Sequence, residues 1–177
     1  MNGGRDLQLS RDQIRMLLLE LGAELEAEGT RADLFLVGGA AMALAYNLRR
    51  LTADVDAVFE PKLVVYAAAR RVAERHPELP HDWLNDAVKG FLPGADADAT
   101  VALDSPGVRV TVASPPYLLA LKVLAARQDR DADDLRDLAG LCGVTTAREV
   151  LEIAERYLGE ARMTPKARFI VEELFST

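Results

Sequence analysis

Residues Leu34 to Glu60 read LFLVGGAAMALAYNLRRLTADVDAVFE, and the reading of this stretch decides the fold. It opens on a short, uniformly apolar run, Leu34 to Val37, halted by two glycines, which is the pattern of a buried strand. Gly38-Gly39 then makes a corner at which the backbone can approach a ligand closely, and the first free N–H groups of the following helix point at an anion. Ala40 to Leu48 predicts that helix, its alanines letting it lie close over a sheet. A second short apolar run follows, carrying Asp54 and Asp56. Side chains alternate faces along a strand, so residues two apart emerge together, with Val55 and Ala57 turned the other way. Two carboxylates so placed repel, and a divalent cation between them relieves the repulsion. Hard oxygen ligands of this kind suit Mg²⁺ together with substrate phosphates. An ordinary tight turn and an edge strand with solvent-facing acids account for either half alone; the two halves in this order favour a site.

Working outward, Ser10-Arg11-Asp12-Gln13 is a capping box. Ile14, Leu17, Leu18, Leu21 and Leu25 recur at helical spacing behind it, predicting an amphipathic helix to about Gly29 with Glu20, Glu24 and Glu26 in solvent. On the other side of the glycines, Arg49, Arg50 and Thr52 precede the aspartates. They suit triphosphate or acceptor phosphates, while the two arginines equally suit the end of a helix, where cations complement the dipole. Pro61 opens a helix over Lys62 to Arg75 with Val64, Val65, Ala68, Ala69 and Val72 as its apolar side. Arg70, Arg71 and Arg75 give its far end a basic face, read either as an RNA contact or as a solvated surface. His76 and His81 have no spaced partner and read as surface residues. The segment HDWLNDAVKGFLPG reads as a short helical or irregular piece folded onto the core, and Gly94 to Asp98 as an acidic loop. Thr100 to Leu103 and Val108 to Val112 predict a hairpin with Asp104 to Gly107 as its turn.

Ser114-Pro115-Pro116 starts a helix, since proline is tolerated in the first turn. Its sequence, YLLALKVLAARQ, is apolar almost all round apart from Lys122. Burying an ammonium without a partner is costly. Lys122 therefore either snorkels to water or reaches a cleft that holds a negative ligand. Asp129, Asp131, Asp133, Asp134 and Asp137 follow, interleaved with Arg127, Arg130 and Arg136. With the helix restarting near Asp131, Asp131 and Asp134 share a face. Acids in a first turn are also what the helix dipole favours. Thr146 to Glu149 caps a further helix, and Thr164-Pro165 starts the last.

The order of two glycines at a strand-to-helix corner and then Asp-x-Asp resembles the signature of the nucleotidyltransferase superfamily with the DNA polymerase beta type fold. Gly38, Gly39, Asp54 and Asp56 carry that resemblance. The later pattern L-x-x-L-K-x-x-A-x-R followed by R-D-x-x-D, at Leu118, Leu121, Lys122, Ala125, Arg127, Arg130, Asp131 and Asp134, is similar to the AbiEii and MenT group of bacterial toxins. Together the motifs span about Leu34 to Leu138. The resemblance implies an enzyme that moves a nucleoside monophosphate from a nucleoside triphosphate to an acceptor hydroxyl, in the best understood members the 3′ end of tRNA, and that is typically encoded beside an antitoxin. By position, Asp54 and Asp56 are implied to hold Mg²⁺, Gly38 and Gly39 the triphosphate, and Thr52 to line the phosphate site. Lys122 is implied to contact the nucleotide, and Asp131 or Asp134 to complete the polar site. One departure stands out. The superfamily usually places a third carboxylate on a neighbouring strand, and Val108 to Val112 offers only Arg109 and Thr111. The alternative is a catalytically inactive nucleotide-binding or protein-interaction module of the same fold.

Composition bounds these readings. The chain has 177 residues, 50% of them hydrophobic, and a formal net charge of -7. That is ample for a core and disfavours a wholly electrostatic nucleic-acid coat. A single cysteine, Cys142, excludes an intrachain disulfide and a zinc site built on several thiolates. No run approaches the ~18 apolar residues of a membrane span, and a cytoplasmic protein with no membrane partner is expected. The architecture predicted is α/β: a nucleotidyltransferase-like core over residues 1–113, with a small mixed sheet and packed helices, and a C-terminal helical lobe over 114–177.

Overall fold

The computed structural model describes residues 8–48, 51–126 and 131–176. Arg49, Arg50, Arg127, Asp129 and Arg130, all singled out above, lie outside the described residues. Contacts divide the chain into two units: Met1–Phe91 with Ala99–Ala113, and Leu92–Asp98 with Ser114–Thr177.

In the first unit, Ser10 caps helix α1 (Arg11–Ala27) through the reciprocal bonds of a capping box, with Gln13 N donating to Ser10 Oγ and Ser10 N to Gln13 Oε1. Strand β1 (Ala32–Leu36), helix α2 (Gly38–Tyr46), strand β2 (Val55–Glu60) and helix α3 (Lys62–Arg75) follow. Then come strand β3 (Leu84–Asn85), a 3-10 turn at Ala87–Phe91, and the hairpin of β4 (Thr100–Ser105) and β5 (Val108–Val112). The five strands form one mixed sheet in the order β3-β2-β1-β5-β4. The β1/β2 and β4/β5 pairs are antiparallel, while β1/β5 and β2/β3 are parallel. The alternation expected of half-buried strands is plain. Leu34, Leu36, Val55, Ala57, Phe59, Val108, Val110 and Val112 are buried on one face, and Asp33, Phe35, Asp56, Val58, Arg109 and Thr111 point to the other. α1 lies against the buried face at β5, so tightly that a Cβ on Gly22 would stand 2.8 Å from Val108 Cγ1.

Four local readings change. α2 starts at Gly38, two residues earlier than the alanine run predicts, and ends at Tyr46 with Asn47 in the left-handed conformation (φ 50°). The hairpin turn shrinks to Pro106-Gly107, so Asp104 sits within β4, opposite Arg109 and bonded to Arg31. The stretch after His81 contributes a strand: Trp83 is fully buried, its indole N–H donating to Ala69 O at 3.0 Å, and Leu84-Asn85 pairs with Val55-Asp56. Two residues are too few for any periodicity to show. Finally, the acids of α1 are not simply solvated. α1 and α3 lie side by side, with Glu24 bonded to Arg71 Nε at 2.7 Å and Arg75 at 2.5 Å. Glu28 meets Arg71 at 2.5 Å, and half-buried His76 meets Glu20 at 3.0 Å. Two of the three arginines of the basic face are thereby neutralised from within.

The second unit is helical: α4 (Pro115–Ala125), α5 (Ala132–Leu141), α6 (Ala147–Leu158), a 3-10 turn at Glu160–Arg162 and α7 (Pro165–Leu174). α4 touches α5, α6 and α7, which explains its nearly all-apolar surface. The acidic loop belongs with it. Asp96 accepts hydrogen bonds from Ser114 N (2.7 Å) and Ser114 Oγ (3.0 Å), and fully buried Tyr117 donates to Gly94 O at 2.7 Å. An acid at the head of α4 satisfies free N–H groups and complements the dipole.

Candidate functional site

The site is built where β1 runs into α2 beside the start of β2. Val37 N donates to Asp56 O at 3.0 Å, so the antiparallel pairing carries the end of β1 up to the acidic strand. Gly38 then turns the chain with φ +61°, a conformation that side chains disfavour. A Cβ on Gly38 would stand 3.5 Å from Asp56 Oδ2, and one on Gly39 only 2.9 Å from Thr52 Oγ1. The first glycine is favoured by the turn and the second by its close approach to Thr52. Thr52 is fixed in place by two backbone bonds with Leu9, and its hydroxyl donates to Asp54 O at 3.1 Å. Val37 at the N-cap of α2 offers no side-chain acceptor to the helix N–H groups. Those donors suit an anion.

Asp54 lies one residue before β2 and Asp56 within it. Both carboxyls are half-buried, and burial pushes each above the usual carboxylate range. The charge of Asp54 adds to the shift of Asp56, and that of Asp82 adds to the shift of Asp54. Asn85 opposes both shifts: its Nδ2 donates to Asp54 Oδ2 at 3.1 Å. Among the described residues no lysine, arginine or histidine forms a salt bridge with either acid. A pair of desolvated carboxylates with no salt-bridging cation among the described residues is a fitting place for a divalent cation.

The first unit thus brings together Gly38, Gly39, Thr52, Asp54 and Asp56. The second brings together Lys122, Asp131 and Asp134: Lys122 Nζ lies 2.9 Å from Asp131 Oδ1 and 2.8 Å from Asp134 Oδ2. Asp134 is 3% exposed, so the lysine on the apolar helix neither snorkels free nor goes unmatched. Arg49 is outside the described residues.

The strand on the outer side of β2 supplies no third carboxylate. β5 borders β1, and the strand that borders β2 on its outer side is β3, where Asn85 is the register partner of Asp56. An amide stands there. Its neighbour Asp86 is drawn away by Tyr66 (2.6 Å) and Lys62 (2.5 Å). Among the described residues no group of three or more His, Cys, Asp or Glu side chains is arranged to hold a metal ion. Asn85 was missed because its importance comes from pairing across 31 positions of sequence. The one local sign is a polar residue directly after two apolar ones, Trp83-Leu84.

A family model described as "Nucleotidyltransferase of unknown function (DUF6036)" matches residues 15–155. The chain belongs to this family. No curated protein and no solved structure matches it. The DUF6036 span takes in every site residue named above, from Gly38 to Asp134. Membership fits the five-stranded mixed α/β sheet and supports nucleotidyl transfer as the general activity, with a nucleotide as substrate. No helix among the described residues is long and apolar enough to cross a membrane.

Proposed function

We propose that this chain is a Mg²⁺-dependent nucleotidyltransferase. It moves a nucleoside monophosphate from a nucleoside triphosphate to an acceptor hydroxyl, with the 3′ end of tRNA as acceptor, in the cytoplasm, as the toxin of an AbiEii/MenT-like pair with an antitoxin. The observation that carries the transfer reading is Asp56 against Gly38 at the head of α2, with Thr52 against Gly39 and bonded through its hydroxyl to the backbone of Asp54. The substrate's acceptor and the antitoxin rest on the resemblance of the Lys122 to Asp134 motif.

In this reading Asp54 and Asp56 hold the cation, which when bound neutralises the triphosphate and acidifies the attacking hydroxyl. The N–H groups at the start of α2 orient the phosphates, and the bare Cα of each glycine leaves them room. Thr52 fixes the backbone of Asp54 through its hydroxyl. Lys122, held by Asp131 and Asp134, is assigned the nucleotide contact. Most of what the protein contributes is placement and charge. A second reading, a nucleotide-binding module without catalysis, is favoured by one observation: Asn85 stands beside Asp54 and Asp56 where a third acid is usual.

The test incubates the protein with total tRNA, Mg²⁺ and each labelled nucleoside triphosphate in turn, beside Asp54→Asn. Label on tRNA that the variant loses is the expected result. Nucleotide binding with no labelled product would support the second reading.

A further inference from the structure

Asn85 is the polar group that the superfamily pattern does not provide for. Three observations define it. It is the register partner of Asp56 across the β2/β3 pair. Its Nδ2 donates to Asp54 Oδ2 at 3.1 Å. Its Oδ1 accepts from Ala87 N at 3.2 Å, at the head of the 3-10 turn Ala87–Phe91. The last bond decides the orientation of the amide, because only an oxygen can accept from a backbone N–H. The nitrogen is thereby committed to the carboxylates. β3 itself is anchored by the buried Trp83, whose carbonyl accepts from Val55 N at 2.7 Å. The amide thus reaches the acids from a fixed platform rather than from a free loop.

We propose that Asn85 is a positioning residue for the acidic pair. It holds one oxygen of Asp54 in a fixed direction, and it keeps the third position uncharged, so that two carboxylates alone carry the cation. The inference rests on the assignment of Asp54 and Asp56 as cation ligands. It adds a residue that touches neither the cation nor the nucleotide and acts through Asp54. A donor with a fixed direction leaves the other oxygen of Asp54 to the cation, and outer partners of metal-holding carboxylates carry much of a site's affinity.

The experiment titrates Mn²⁺ into the nucleotide-free full chain, read by electron paramagnetic resonance, with thermal unfolding of each sample alongside. Wild type, Asp54→Asn, Asn85→Ala and Asn85→Asp are compared. Wild type is expected to hold Mn²⁺ and Asp54→Asn to lose it. Wild type that holds none, or Asp54→Asn that holds it equally well, would overturn the cation assignment itself and Asn85's role with it. With that assignment standing, Asn85→Ala is expected to weaken Mn²⁺ binding roughly tenfold to a hundredfold and to lower kcat in a similar ratio with KM for the nucleotide little changed. Asn85→Asp places a carboxylate against Asp54. It is expected to melt lower than wild type without metal and to regain that loss on adding Mn²⁺, which also binds more tightly than to wild type. Unchanged Mn²⁺ affinity in both Asn85 variants would overturn the positioning role. A lowered melting temperature in Asn85→Asp that Mn²⁺ fails to restore would do the same, marking a purely structural amide.

Discussion

Asp56 faces a second carboxylate from a half-buried position, and its own charge is disfavoured both by lost water and by Asp54. A group in that state weakens the fold it sits in; it persists where an external ligand rewards it. Asp56→Asn removes the repulsion and keeps the shape. We expect this variant to lose transfer activity by at least a hundredfold while melting, without divalent ions, no lower than wild type. Calorimetry of both proteins in chelator checks the second half. A marked drop in melting temperature would mean that the carboxylate is a structural acceptor. At this scale the sequence showed a great deal. Asp56 on β2 and the glycine corner were readable because alternation along a strand and the conformational freedom of glycine are local rules, whereas Asp54, read as part of that strand, lies one residue before it. Asn85 and the clasp on Lys122 were not, since each depends on which distant residue the fold brings alongside.

Elements read well where their periodicity is long. α3 covers Lys62–Arg75 as the apolar spacing predicts, and β5 lies where alternation places it, while β4 runs on to Ser105. β3 escaped because two residues have no period, and the face of α1 was misjudged because its acids are matched by α3, 47 positions away in the case of Glu24 and Arg71. That clasp makes a prediction about pH. Hydrogen bonds from Arg71, then Arg75, hold the Glu24 carboxyl below its usual range. A carboxyl depressed by folding contributes stability above its unfolded pKa and loses it as pH falls through the folded one. Glu24→Gln should therefore be less stable than wild type at neutral pH, by about 0.2–1 kcal/mol given the partial exposure of its partners. The difference should shrink in 1 M salt and vanish in acid. A difference that stays constant from neutral pH down to acid would show that packing, not charge, joins α1 to α3. The same clasp argues against Arg71 and Arg75 as an RNA-reading face, since both are engaged by acids of α1.

For the molecule as a whole, the α/β class and the order of its motifs could be read early because strand, glycine corner, helix and acidic strand lie within one short stretch. What could not be read was the grouping of Leu92–Asp98 with the helices, since the bonds of Asp96 and Gly94 to Ser114 and Tyr117 appear only on folding. The sheet order was equally hidden, and it decides the chemistry: with β3 rather than β5 beside β2, the residue facing Asp56 is an amide. The family match supports nucleotidyl transfer for the chain, and Asp54 and Asp56 are the residues proposed to perform it. The most direct measurement is pyrophosphate release from the four nucleoside triphosphates with total tRNA and Mg²⁺, followed for wild type and Asp54→Asn. We predict release by wild type that needs both Mg²⁺ and tRNA, reduced at least a hundredfold in the variant. Release at the wild-type rate from Asp54→Asn would contradict the account.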